Sequence, residues 1–205
     1  MRTVDVKVFG IEELNEKAKN YAYHKWLESG IYPWSTENRN TLDEFVSIFP
    51  IKVIDWEYGD GNPHAKVIFT GDENIENLTG IRLYTYLCNN YDHYLSKGKT
   101  YYKFTSDGKC IKHTSKLLMD YEYVLTGYFV DEAILAPIRH FFLVPSNTMT
   151  FKQLMVDCIN NWLYCCDEDY QCCTSMEYFM DESAANGWEY MEDGNLYSDS
   201  VYKTA

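Results

Sequence analysis

From Thr150 to Asp169 the chain reads TFKQLMVDCINNWLYCCDED, with apolar residues at Phe151, Leu154, Met155, Cys158, Ile159, Trp162, Leu163 and Cys166. Steps of three and four residues, held for more than four turns, mark an amphipathic helix with one face against a core. Such a helix cannot stand alone, so the rest of the chain must bring apolar faces to cover it. Thr148 or Thr150 supplies the N-cap. Phe151, Leu154, Cys158, Ile159 and Trp162 are the predicted centre of the core. The helix is expected to close on Asp167, Glu168 and Asp169. Three carboxylates stand where the helix dipole favours cations. They gain nothing locally, which directs them at something outside the helix; the competing reading is a solvated acidic loop.

The other elements follow from periodicity and punctuation. Thr3 to Phe9 alternates, with Val4, Val6 and Val8 on one face of a half-buried strand ended by Gly10. Helices are predicted over Leu14 to Ser29, with Asn15 as N-cap and Gly30 as the stop, and over Thr36 to Phe49 before Pro50. Ile51 to Tyr58 and Ala65 to Thr70 flank Gly59-Asp60-Gly61-Asn62-Pro63 and read as a hairpin. Its inner face is either Ile51, Val53 and Asp55 or Lys52, Ile54 and Trp56. A helix follows over Ile81 to Leu95, then a basic ribbon or loop from Lys97 to Lys116. Next comes a helix near Asp131 to Phe142 that contains Pro137, which predicts a kink or break. After the organising helix, a further helix spans Thr174 to Asn186, and Trp188 to Tyr197 forms a small hairpin or extended cap. The predicted class is α+β, a small antiparallel sheet in the N-terminal half packed with a helical C-terminal half. One domain over 1–205 is expected, with a subdivision into a strand-containing part, 1–96, and a helical part, 117–205.

Charge narrows the function. The net charge is −13, and from Thr150 onward eleven acids face only Lys152 and Lys203. The ribbon 97–116 runs the other way, with six lysines against Asp107 alone. A chain this acidic is repelled from nucleic acid as a whole and attracted to basic surfaces, although one basic face can still bind. No apolar stretch is long enough for a membrane span, and the opening MRTVDVKVFG has no signal-peptide core, so a cytoplasmic protein of the host cell is expected. In that compartment cysteines are thiols, metal ligands or core fillers.

Two constellations invite chemistry. Cys165, Cys166, Cys172 and Cys173 offer zinc ligands, but adjacent cysteines on a helix diverge by about 100° and serve a tetrahedron poorly. No metal or other cofactor is therefore expected. His24, His64, His93, His113 and His140 stand in no ligand spacing, and no nucleophile elbow or phosphate loop is present. Tyr101, Tyr102 and Phe104 among the ribbon lysines are stacking partners for nucleic acid, against a solvated loop as the simpler reading.

VDVKVFGIEELNEKAKNYAYHKWLESG, LTGIRLYTYL and LTGYFVDEAILAPIRHF resemble a group of phage and prophage proteins, many labelled antitoxins. That group supplies no functional residues to carry over. Small acidic phage accessory proteins in turn resemble anti-defence proteins, including anti-CRISPR inhibitors of Cas9. The resemblance implies a non-enzymatic inhibitor of a host defence protein such as Cas9, in which carboxylates stand in for phosphates and tyrosines for bases. On that reading Asp167, Glu168, Asp169, Asp181 and Glu182 form the partner surface, with no direct nucleic acid and no membrane. The alternatives are an antitoxin or DNA-binding regulator using the lysine ribbon, and a small metal-dependent hydrolase using scattered Asp and His.

Overall fold

The structure, a computed structural model, describes residues 6–30, 32–59 and 61–198. The backbone gathers into two compact units. The larger runs from Trp34 to Glu168; the smaller is built from the two chain ends, up to Pro33 and from Asp169 onward. These units are drawn differently from the expected division into 1–96 and 117–205. The architecture is α+β, helices with two-stranded antiparallel sheets. Among the described residues no helix is long and apolar enough to cross a membrane.

The larger unit is built on the organising helix. α2 covers Ser35–Ile48, β2 Ile51–Glu57, β3 His64–Phe69, α3 Glu73–Glu76, α4 Gly80–Leu95, β4 Lys97–Phe104, β5 Cys110–Asp120 and α5 Val130–Leu143. α6, Phe151–Cys173, contributes its residues up to Glu168. All eight apolar residues of its stripe are buried, as are Ile134, Leu135 and Ile138 of α5, Leu83 and Leu87 of α4, and Phe45 of α2. Trp162 sits at the centre, fully buried. Its indole N–H donates to the Asn38 carbonyl at 3.2 Å, and its ring meets Trp56 edge-on at 5.3 Å.

The β2–β3 hairpin resolves the open inner face by taking Ile51 and Val53 from one alternative and Trp56 from the other. Ile51 pairs with Phe69 and Val53 with Val67, and both pairs turn inward. The register then shifts between Ile54 and Glu57, where Asp55 takes φ 57°. This bulge reverses the alternation, so Trp56 joins the core while Ile54 and Ile68 stay exposed. Pro137 does not break α5. The helix runs unbroken through it, because a side chain from α6 replaces the N–H that proline lacks.

The smaller unit holds β1 (Phe9–Gly10), a 3-10 turn at Ile11–Glu13, α1 (Glu16–Glu28), the end of α6, α7 (Met176–Ala185) and β6 (Glu189–Tyr190). Asn15 caps α1 as expected, its side chain accepting from the Ala18 N–H at 3.0 Å. The N-terminal strand is shorter than expected. Thr3 to Asp5 lie outside the described residues, Val6 to Val8 are not in a strand, and only Phe9–Gly10 pairs, with Glu189–Tyr190. A partner of two residues offers no further ladder. Trp26, Phe179 and Tyr190 form the small core with Ala18 and Ala22. Gly194 has φ 89°, and a Cβ there would lie 2.2 Å from the Ala18 carbonyl, so this corner admits glycine alone.

Candidate functional site

The five acids of the expected partner surface belong to both units. Asp167 and Glu168 fall in the larger, Asp169, Asp181 and Glu182 in the smaller. α6 does not close on the three acids as expected; it continues to Cys173 and leaves them ahead of its last turn. Two of them are occupied. Asp167 accepts the Gly59 N–H at 2.7 Å, and Asp169 accepts the Tyr32 hydroxyl at 2.7 Å. Glu182 accepts from the Asn186 amide at 3.0 Å, one turn along α7. Glu168 and Asp181 are exposed.

The four candidate zinc cysteines share one helix, α6. Cys166 is buried, Cys165 and Cys173 are half-buried, and Cys172 is exposed. Two turns, about 10 Å of helix rise, separate the first pair from the second, far more than a shared metal allows. Burial first, then the Asp169 and Cys172 charges, push the Cys173 thiol up to about 11, so it keeps its proton at neutral pH. A protonated thiol is a poor nucleophile. No three His, Cys, Asp or Glu residues come together as a metal-binding group among the described residues.

The most exposed ordered element is the basic ribbon, which folds as a hairpin of β4 and β5. None of its strand residues is buried. Phe104 pairs with Cys110, Lys103 with Ile111, Tyr102 with Lys112, Tyr101 with His113 and Thr100 with Thr114. Alternation sets Tyr102, Phe104 and Lys112 on one face, Tyr101, Lys103 and His113 on the other. On the latter face Tyr101 stacks on His113 at 5.4 Å and the Lys103 amine lies 5.7 Å from the Tyr101 ring centre. Tyr102 and Phe104 are 62% and 77% exposed. The tip is a tight turn in which Asp107 accepts from the Thr105 hydroxyl and pairs with Lys109 at 3.4 Å. At the base the register shifts after Gly98, and β5 bulges out through Leu117 and Leu118. Gly98 permits this, since a Cβ would meet the Ser115 carbonyl at 2.2 Å. The bulged leucines lie just beyond the expected ribbon end at Lys116, and no local turn signal marks them.

Compared with protein-family models, curated proteins and solved structures, the chain matches none of them. Function must therefore be argued from these surfaces. Two further features lay outside sequence reasoning. In the smaller unit a cavity of about 340 Å³ is walled by Trp26, Phe179, Trp188, Tyr190 and Leu196, with Lys25 at the rim held by Glu28 at 2.7 Å. In the larger unit Asp131, buried, accepts the backbone N–H groups of Leu125, Thr126 and Gly127 at 2.8–3.0 Å and the hydroxyls of Thr126 and Thr41. The sequence announced Asp131 as a first-turn acid of α5. Its backbone partners precede it in the chain and Thr41 is 90 residues distant, so the donors it gathers were not visible there. This carboxylate is a structural clamp, closed to solvent.

Proposed function

We propose that the protein is a non-enzymatic inhibitor that binds a basic surface of a nucleic-acid-processing protein, of the anti-defence kind that its resemblance to phage proteins implies. The observation that carries this reading is charge segregation. The ribbon 97–116 takes six of the 18 bases and one of the 31 acids, so the rest of the chain holds 30 acids against 12 bases. A body of that sign competes with phosphates for a cationic channel and gains on-rate from steering. Glu168 and Asp181 are exposed, and their carboxylates enter no hydrogen bond or ion pair among the described residues. They are the members of the acidic set best placed to meet a partner.

The test uses Cas9 with its guide RNA as the representative partner. Target-DNA cleavage is measured with increasing inhibitor at two salt concentrations. Inhibition that weakens steeply with salt, and falls at least ten-fold in the Glu168→Lys/Asp181→Lys variant, supports the reading. Full inhibition by that variant, indifferent to salt, moves the contact to apolar residues. Absence of any inhibition or binding removes Cas9 as the partner.

A further inference from the structure

We infer that the face of the β4–β5 hairpin carrying Tyr102, Phe104 and Lys112 is a platform for single-stranded nucleic acid. The inference goes beyond the inhibitor reading and uses other residues. It also departs from the expectation, set by net charge, that the chain touches no nucleic acid.

Three observations converge. The first is presentation. Tyr102 and Phe104 stand two residues apart on β4, so their rings are about 7 Å apart on the same face. Both are more than half exposed, and neither strand has a buried residue. Exposed aromatic rings at this spacing on a sheet face take successive unstacked bases, one per ring. A duplex offers no free base faces, which favours a single strand. The second is charge. Lys112 pairs directly across from Tyr102 and stands on the platform face, while the one acid of the ribbon, Asp107, is engaged at the tip by Thr105 and Lys109. The third is the distance of the platform from the acids Asp120 and Glu122 at the base of the hairpin. From Lys97 to Phe104 an extended strand spans roughly 23 Å, and charges are screened over about 8 Å at physiological salt. Phosphates held at the distal half of the hairpin are thus shielded from repulsion by acids near its base.

An acidic protein surface is the rival occupant, and the aromatic pair decides against it. A lysine alone would serve an acidic protein, whereas two outward rings beside Lys112 on one face match a strand of bases. The bulged Leu117 and Leu118 lie at the base of the hairpin, outside this platform.

The test measures anisotropy of a fluorescein-labelled oligo(dT) with the full-length protein, alongside a duplex of equal length and poly-glutamate as competitor. We expect binding to the single strand in preference to the duplex, falling with salt. Tyr102→Ala/Phe104→Ala should weaken it at least ten-fold, Tyr102→Phe should keep it, and Lys112→Glu should weaken it and flatten the salt slope. Circular dichroism checks that these exposed substitutions leave the fold intact. No binding, equal binding to duplex, indifference to loss of both rings, or poly-glutamate competing as well as unlabelled oligo(dT) overturns the inference. Its failure leaves the inhibitor reading standing, because that rests on Glu168 and Asp181 and on a nuclease assay.

Discussion

The Asn161 side-chain amide donates to the Ala133 carbonyl at 2.6 Å. Ala133 is the residue four before Pro137, and its carbonyl would otherwise pair with the N–H that proline does not have. Two helices, α5 and α6, are thereby joined at the point where one of them lacks a bond. Asn161→Ala should destabilise the protein by about 1 kcal/mol. In a Pro137→Ala background the same change should cost clearly less, since the substituted residue brings a backbone N–H that can reach the Ala133 carbonyl. Urea unfolding of the four proteins gives the coupling; equal costs in both backgrounds would show that the two residues act independently.

Asp131 should be the costliest polar residue of the larger unit to remove. Asp131→Ala leaves three backbone N–H groups and the Thr41 hydroxyl without their carboxylate in a buried site. Hydrogen bonds to a charged group contribute about 1.5–3 kcal/mol each, so a loss of about 3 kcal/mol or more is expected. Limited proteolysis should cut sooner at 121–129 in the variant, and an unchanged cleavage pattern would count against the clamp.

Trp162→Ala should cost roughly 3–5 kcal/mol, the usual range for a large aromatic removed from a packed core. Trp162→Phe should cost less, losing the bond to Asn38 but keeping much of the ring volume. A thermal melt of Trp162→Ala equal to wild type would mean the core is centred elsewhere.

Reversing charge on the end of α6 should not be neutral at every position. Asp167→Lys loses the Gly59 N–H bond and Asp169→Lys the Tyr32 hydroxyl bond, each costing on the order of 1 kcal/mol or more. Glu168→Lys, fully on the surface, should stay within about 0.5 kcal/mol. Chemical denaturation of the three single variants separates these outcomes, and equal stabilities would contradict the hydrogen bonds.

Acid sensitivity has a source in Glu132. Burial pushes its carboxyl up, but Arg139 and the Tyr123 N–H outweigh burial and hold it below the ordinary glutamate value. A carboxyl lowered in the folded state stabilises above its unfolded value and loses that contribution as pH falls through the folded one. Glu132→Gln should therefore be less stable than wild type at neutral pH, with the gap closing on acidification below the usual carboxylate range. A gap constant with pH would show that Glu132 contributes through packing alone.

The helix of residues 150–169 and its buried stripe were legible because a 3.6-residue period is a local property, written in consecutive side chains. The Asn15 cap and the β2–β3 turn were legible for the same reason: short-range hydrogen bonding and glycine conformation decide them. What the sequence did not contain were pairings between distant segments. The bulge at Asp55 put Trp56 on the inner face against the simple alternation, because Trp162 packs there. Pro137 was tolerated because Asn161 lies opposite it. Asp167 and Asp169, which read as outward-pointing charges, were drawn to Gly59 and Tyr32, 108 and 137 residues away. The lysine ribbon could be read as basic and aromatic, but only the register of β4 and β5 placed Tyr102, Phe104 and Lys112 on a common face. Periodicity and turn chemistry thus determined which segments become helices and hairpins. Tertiary structure decided which polar groups are consumed internally and which remain for a partner, since a donor and acceptor far apart in the chain meet only after the core has packed.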